Sequence, residues 1–175
     1  PIRVLFTDLS TGNPDRWQWD LGNGVISSSK DPSTTYFTPG VYTVKLTIYK
    51  GVDSAVIVKP AFISVYAIPR VAFSAQPTSG CLPLLVAFTD SSTTTTGTIS
   101  NWTWDFGDGN LGSGANPVHT YTNTGTFKIT LSVRSSEGCA NTFSIDNYVQ
   151  VNPTLEANFD AVIPVSCRVP VSVSF

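Results

Sequence analysis

Trp102-Thr103-Trp104-Asp105-Phe106-Gly107-Asp108-Gly109 is the stretch that decides the fold, because a related stretch occurs elsewhere in the chain. Trp17-Gln18-Trp19-Asp20-Leu21-Gly22-Asn23-Gly24 lies 85 positions earlier (102 − 17). Similarity at a fixed period indicates a repeat architecture, in which each repeat is one structural unit. A period of 85 residues is the size of a small domain, so we interpret the chain as part of an array.

Other segments follow nearly the same period and set the predicted domain boundaries. Phe6-Thr7-Asp8 matches Phe88-Thr89-Asp90 at an offset of 82, and Val71-Ala72-Phe73 returns as Ala157-Asn158-Phe159 at an offset of 86. We therefore predict a first unit at residues 1–67 that lacks its first strand, a complete unit at 68–152, and the first strands of a truncated third unit at 153–175. The absence of Met and of a leader-like segment suggests an internal fragment.

The local pattern predicts an all-β fold. Apolar and polar residues alternate in Phe127-Lys128-Ile129-Thr130-Leu131, as they do in half-buried strands. The same alternation puts three side chains of each repeated stretch on one face, and we expect them to form the core: Trp17, Trp19 and Leu21 in the first unit, and Trp102, Trp104 and Phe106 in the second. Asn23-Gly24 and Asp108-Gly109 then predict tight type I′ hairpin turns.

Composition argues against several classes of function. The net charge is −2 and only 13% of the residues are charged, so the chain lacks the basic stripe that nucleic-acid binding requires. No apolar run is long enough to predict a membrane span in this segment. Short strands separated by 13 Gly and 12 Pro favour a β-sandwich.

The residues Trp104-Asp105-Phe106-Gly107-Asp108-Gly109, Pro117-Val118-His119-Thr120-Tyr121 and Gly125-Thr126-Phe127-Lys128-Ile129-Thr130-Leu131 resemble a PKD repeat. The resemblance covers all of the second unit and most of the first. It implies immunoglobulin-like β-sandwich repeats in a head-to-tail array. The first unit departs from the motif at Leu21, Asn23 and Thr34, which argues against chemistry at those positions.

Three cysteines, Cys81, Cys139 and Cys167, are candidates for disulfides. Gly80-Cys81-Leu82-Pro83 and Gly138-Cys139 resemble PKD variants with cysteines at these places, and paired cysteines suit an oxidising, extracellular setting. A Cys81–Cys139 bond is the simplest pairing. Alternating strand directions would place these two at opposite ends of a sandwich, so we hypothesise bonds between neighbouring units. Cys81 would then pair with a cysteine in the missing part of the third unit, and Cys139 with one just upstream of Pro1.

Several residues allow a functional and a structural interpretation. His119 is the only histidine, and we favour a local hydrogen bond over a role as a catalytic base, because Thr34 replaces it in the first unit. Asp105, Asp108 and Asn110 suggest a calcium loop only weakly, since their spacing does not fit an EF-hand; we expect them to bond turn backbone, and we expect no cofactor. We interpret the tryptophans as core and not as a sugar-binding platform, and consider Phe37, Tyr66 and Tyr148 freer for surface contacts.

Two modification signals are present. Asn101-Trp102-Thr103 is a formal N-glycosylation sequon. Asp53-Ser54-Ala55 resembles a bacterial O-glycosylation pattern, which makes Ser54 a candidate acceptor in an exposed hairpin.

We therefore predict a non-catalytic segment of a secreted or surface-anchored protein. The short, proline-containing junctions Tyr66-Ala67-Ile68-Pro69 and Asn152-Pro153-Thr154 favour a semi-rigid rod. By family resemblance, such arrays look like stalks of bacterial cell-surface adhesins, including those of gliding cells. The alternatives are an accessory module of a secreted hydrolase and a eukaryotic receptor ectodomain. The expected partners are neighbouring repeats, and polysaccharide or other surface proteins are further candidates.

Overall fold

The computed structural model describes residues 1–160, and every regular element among them is a β-strand. The first unit contains β1 (Ile2–Leu5), β2 (Arg16–Asp20), β3 (Ile26–Ser27), β4 (Ser33–Tyr36), β5 (Gly40–Lys50) and β6 (Asp53–Val65). The second contains β7 (Phe73–Gln76), β8 (Ser79–Cys81), β9 (Leu84–Asp90), β10 (Ile99–Asp105), β11 (Leu111–Ser113), β12 (Val118–Tyr121), β13 (Gly125–Ser135) and β14 (Ala140–Asn152).

The second unit is a two-layer sandwich. One sheet has the order β11-β10-β13-β14-β8 and the other has the order β12-β9-β7. All pairs are antiparallel except β14 with β8, which run in parallel. The prediction of an all-β, immunoglobulin-like sandwich is confirmed.

The first unit repeats the strand pairing of the second, except that residues 1–67 contain no counterparts of β7 and β8. Its sheets have the orders β3-β2-β5-β6 and β1-β4. Even the register is retained, because Trp19 lies opposite Leu46 and Trp104 lies opposite Leu131. The part of the predicted third unit at residues 153–160 forms no strand, and residues 161–175 lie outside the described part of the chain. In the part that is described, no helix has the length and apolar character that a membrane crossing requires.

The repeated stretch supplies the centre of each core. Trp104, Phe106 and Leu21 are at most 2% exposed and Trp19 is 6% exposed. The Trp104 ring packs between Phe73 and Phe88, with ring centroids 5.3 and 5.5 Å away. Burying an aromatic ring of this size contributes several kcal/mol, at about 25 cal/mol per Å² of apolar surface.

The first tryptophan of each stretch is only half-buried at the edge of its core. The Nε1 of Trp17 donates to Asp8 Oδ2 at 2.8 Å, and that of Trp102 donates to Asp90 Oδ2 at 2.7 Å. An indole N–H usually takes a partner when its ring is buried, and a carboxylate at the rim provides one. The alternation correctly gives the face of these side chains but not their depth.

The predicted type I′ turns are wrong. Asp105 pairs with Leu111, so the loop of β10 and β11 has five residues, and Phe106 N donates to Asn110 O at 3.2 Å. Positive φ occurs at Gly107 (79°) and Gly109 (91°). A type I′ turn on Asp108-Gly109 would instead need positive φ at Asp108 and at Gly109. The first unit has the same loop, with positive φ at Gly22 and Gly24.

The first glycine of each loop lies very close to the long strand of its unit. A Cβ built on Gly107 would collide with the carbonyl oxygen of Lys128 in β13, and one on Gly22 would collide with that of Thr43 in β5. Gly109 and Gly24 have open space around the same position. The first glycine of each loop is therefore required by φ and by packing, and the second by φ alone.

We expect Gly107→Ala to destabilise the second unit more than Gly109→Ala. A left-handed alanine costs about 1–2 kcal/mol at either position, and only Gly107→Ala adds a collision with backbone. Urea unfolding followed by tryptophan fluorescence measures both free energies. Equal losses in the two variants would contradict the proposed close approach.

Candidate functional site

A hydrogen-bonded pair of side chains in the second unit fastens the β10–β11 loop. Asp108 Oδ2 lies 2.7 Å from His119 Nε2 on β12, and the two side chains are 11% and 14% exposed. The imidazole stacks on the Phe106 ring at a centroid distance of 4.2 Å and an interplanar angle of 4°. The hydroxyl of Tyr121 donates to Phe106 O at 3.0 Å. We call Asp108 and His119 the loop clasp.

The environment of Asp108 favours its charged form. Burial raises the pKa of this carboxyl, but hydrogen bonds from the His119 and Asn110 side chains and from the Asn110 backbone outweigh burial and lower the pKa overall. Burial raises the pKa of Tyr121, and the charges of Asp108 and Asp105 add to that effect, so this hydroxyl stays protonated and donates.

The residues weighed as calcium ligands are hydrogen-bonded within their own loop. Asp108 Oδ1 accepts from Asn110 N at 3.1 Å, and Asp105 Oδ1 accepts from Gly107 N at 2.9 Å. Among residues 1–160, no group of three or more His, Cys, Asp or Glu side chains is placed to hold a metal ion. These carboxylates therefore hold the backbone of the loop in place, as the structural interpretation of these residues predicts.

The first unit has an uncharged version of the loop clasp. Asn23 Nδ2 donates to Thr34 Oγ1 at 3.1 Å, and the hydroxyl of Tyr36 donates to Leu21 O at 2.7 Å. Asn23 corresponds to Asp108 and Thr34 to His119 at the same offset of 85. Sequence reasoning missed this pairing, although both members change together between the repeats. That joint change is the signal that could have revealed it.

The junction between the units is shorter than its sequence suggests. Strand β6 ends at Val65, and Ala67 N already donates to Thr96 Oγ1 of the second unit at 2.7 Å. The buried Pro69 accepts at its carbonyl from Asn141 Nδ2 at 2.8 Å. Only Tyr66 therefore separates the last strand of one unit from the first anchored residue of the next.

The cysteines of the second unit lie at opposite ends of β14. Cys81 pairs with Asn152 at the end of this strand, while Cys139 immediately precedes Ala140 at its start. A strand from residue 140 to 152 is roughly 40 Å long at 3.3 Å per residue, and a disulfide requires Cα atoms within about 7 Å. This separation rules out a Cys81–Cys139 bond within the folded unit. Cys167 lies outside the described residues.

The remaining candidates lie at the surface or in the core as follows. Ser54 is exposed and pairs with Tyr49 just after the β5–β6 turn. Phe37 is 76% exposed and Tyr66 45%. Tyr148, considered free for surface contacts, instead packs edge-on against Phe73 at 5.6 Å and accepts a hydrogen bond from Ala75 N. Since Trp19 and Trp104 are buried, they are not available as a sugar-binding platform.

The loop clasp predicts an acid-dependent contribution to stability. Because the folded-state pKa of Asp108 is lowered, its contribution is complete above the unfolded pKa near 4 and is lost as pH falls through the folded value. The double variant Asp108→Asn with His119→Thr, which imitates the first unit, should lose this dependence. At neutral pH we expect His119→Thr alone to cost about 1–2 kcal/mol.

Urea unfolding between neutral and strongly acidic pH measures this difference. Asp146→Asn is the matched control, because Asp146 is 76% exposed and its pair with Lys128 at 3.1 Å contributes little in water. Parallel pH profiles for the native chain and the double variant would contradict the role of the loop clasp.

Comparison with solved structures gives similar single domains. The PKD1 domain of Vibrio anguillarum Epp is 26% identical, with a TM-score of 0.44, and the match covers 50% of this chain and 100% of that one. The PKD1 domain from the Vibrio cholerae metalloprotease PrtV is 28% identical, with a TM-score of 0.42, and covers 47% of this chain and 98% of that one.

Two curated relatives match part of the chain, and a family model identifies its repeats. Collagenase ColQ1 of Bacillus cereus is 41% identical over 49 residues, which are 28% of this chain and 5% of the collagenase. Collagenase ColA of Bacillus cereus is 35% identical over 63 residues, 35% of this chain and 7% of that protein. This chain thus spans a small part of either relative. The family model described as "PKD domain" matches residues 1–60 and 67–151. These two ranges make up most of the chain, which therefore belongs to the PKD domain family and carries two copies of the domain in tandem.

Proposed function

We propose that this chain is an extracellular, semi-rigid spacer in the stalk of a large cell-surface adhesin. PKD domains are a non-catalytic domain type, so the proposed work is geometric: the units hold another part of the protein at a set distance and direction. The observation that carries this proposal is the one-residue junction at Tyr66, between β6 and the anchored Ala67.

The contacts after Tyr66 limit bending in two ways. Ala67 and Pro69 are buried and hydrogen-bonded to Thr96, in the loop between β9 and β10, and to Asn141, at the start of β14. Proline also fixes φ at its own position and restricts the residue before it. A longer flexible linker would let the units reorient freely. At this junction only the backbone of Tyr66 is free to rotate.

Bonds between neighbouring repeats would stiffen such a stalk further. Cys81 lies beside the end of the last strand of its unit, and Cys139 lies at the opposite end. In a head-to-tail array these positions meet the adjoining units, so we propose that each pairs with a cysteine of a neighbour and not with the other. An oxidising environment outside the cell suits such bonds.

A second candidate is an accessory module that positions the catalytic domain of a secreted hydrolase on a polymer. Its support is the similarity to segments of two proteins named as collagenases. Retention of this chain on insoluble collagen or polysaccharide would favour the accessory module, and free passage over both would favour the spacer.

Distance measurements between spin labels on the two units test the rigidity of the junction. With Cys81, Cys139 and Cys167 changed to Ser, we label Lys45→Cys and Asp146→Cys, two exposed positions in different units. The native junction should give a narrow distance distribution. Thr96→Val with Asn141→Ala should broaden it, because both side-chain contacts to the junction are removed.

An insertion provides the matched control. Four Gly/Ser residues inserted after Tyr66 should broaden the distribution strongly, while the same insertion at Gly51 in the β5–β6 turn should leave it narrow. A broad distribution for the native junction would contradict the spacer.

A further inference from the structure

A groove in the first unit lies beside strand β4. Its volume is about 560 Å³, which falls within the range of small-molecule sites, roughly 300–1,000 Å³. Thr34 and Thr35 of β4 are half-buried and form its floor, and Arg3, which pairs with Thr35, lies next to them on β1. Phe37 follows the end of β4 and is 76% exposed at the rim. We call this feature the β4 groove.

Strand β4 and its counterpart β12 are both edge strands among the described residues. In the second unit, β12 lies next to β9, and β7 lies on the opposite side of β9. Strand β8 belongs to the other sheet, where it pairs with β14. Strands that correspond to β7 and β8 would therefore lie away from Thr34 and Thr35. The β4 groove does not depend on whether such strands precede the first unit.

In the second unit an imidazole occupies the place that corresponds to the floor of the β4 groove. His119 lies at the position of Thr34, stacks on Phe106 at a centroid distance of 4.2 Å and is only 14% exposed. Threonine is smaller than histidine, and Leu21 replaces the ring of Phe106 beneath it. Space that a ring fills in the second unit is therefore open in the first.

Arg3 is the one charged residue among the described residues that line the β4 groove. It is exposed and forms no salt bridge with a carboxylate of residues 1–160. Its Nη2 donates to Ser33 Oγ at 3.2 Å, which leaves other N–H groups of the guanidinium for a ligand. Leu85 takes its place in the second unit. Because a guanidinium binds a carboxylate through two parallel hydrogen bonds, the β4 groove suits a ligand that carries a carboxylate.

The uncharged groups of the β4 groove suit a sugar ring. The hydroxyls of Ser33 and Thr34 accept hydrogen bonds from Arg3 and from Asn23 Nδ2, and each keeps its own hydrogen to donate to a ligand oxygen. Phe37 offers an exposed aromatic face. The C–H face of a pyranose ring is apolar and packs on such a face, while its hydroxyls meet the polar floor.

The same edge of β4 is closed to an added peptide strand. Backbone groups of alternate residues point to opposite sides of an edge strand. The carbonyl oxygen of Thr35 points to the free side, where it accepts from Asn23 Nδ2 at 3.3 Å. A peptide strand paired with β4 would need the space that this amide occupies. The β4 groove therefore offers side chains, and not a backbone ladder, to a ligand.

We propose that the β4 groove binds glycans that contain uronic acid. The guanidinium of Arg3 holds the uronate carboxylate, Ser33 and Thr34 donate to the oxygens of the sugar, and Phe37 packs on the C–H face of the ring. This activity goes beyond the spacer, because the junction at Tyr66 takes no part in it. One charged contact on an open surface gives weak binding, which several copies of the site along a polymer would strengthen.

Isothermal titration of the native chain with trigalacturonate at low ionic strength tests the proposal. The methyl ester of trigalacturonate is the matched ligand, since it keeps the rings and loses the charges. We expect it to bind about tenfold more weakly, because a hydrogen bond to a charged group contributes more than one to a neutral group. Arg3→Leu, which copies Leu85 of the second unit, should weaken binding of trigalacturonate by a similar factor.

Two further variants also copy the second unit and test the floor and the rim. Thr34→His with Asn23→Asp should abolish binding, because an imidazole fills the β4 groove and a carboxylate repels the ligand. Phe37→Thr should weaken binding of trigalacturonate and of its ester alike, since the ring contact does not depend on charge. Urea unfolding of each variant shows that loss of binding does not come from loss of folding.

Arg16→Leu is the matched control, since Arg16 is an exposed arginine of the same unit that lies over Tyr49 on the other sheet. This variant should bind as the native chain does. A native chain that does not bind trigalacturonate, an ester that binds as tightly, an Arg3→Leu chain with native affinity, an Arg16→Leu chain as weak as Arg3→Leu, or equally tight binding of hexaglutamate would each overturn the proposal. Retention on a polymer that persists in Arg3→Leu would come from another surface and would still favour the accessory module.

Discussion

Burial of one indole per repeat, that of Trp19 or Trp104, is the constraint on which the rest of the structure depends. Each ring lies on the strand that precedes the five-residue loop, opposite Leu46 or Leu131 of the long strand. Fixing this ring in the core fixes the register of the two central strands. The loop that follows must then pass close to the long strand, and only a glycine at position 22 or 107 leaves room for that passage.

Much of the fold follows from local sequence, because a strand with one buried face alternates in polarity. The repeat, the strand faces and the sandwich class could all be predicted this way. The turn type could not, since the positive φ falls on Gly107 and not on Asp108, and the carbonyl of Lys128 that leaves no room for a Cβ on Gly107 is distant from it in sequence. The half-burial of Trp102 likewise depends on its hydrogen bond to Asp90. Asp90 lies 82 residues after its counterpart in the first unit and Trp102 lies 85 after its own, so the repeat period does not reveal this pair.

The polar groups of the second unit illustrate why a suggestive composition does not by itself make a site. Aspartate and histidine at 2.7 Å could belong to a catalytic dyad, but here the carboxylate is bonded by Asn110 as well and the imidazole is stacked on Phe106. The first unit performs the same structural task with Asn23 and Thr34. Because neutral side chains in the first unit do the work of the Asp108–His119 pair, that pair serves the fold. This supports a geometric role for the whole segment.

Acrylamide quenching of tryptophan fluorescence tests most directly whether the repeated rings form the interior of the units. In a chain with Trp17→Phe and Trp102→Phe, only Trp19 and Trp104 emit, and these are 6% and 0% exposed. If the rings fill the cores, quenching in the native state will be several-fold weaker than in urea and will not change when collagen or polysaccharide is added. Native quenching as strong as that in urea, or protection by an added polymer, would show that the rings are solvated and line a binding surface.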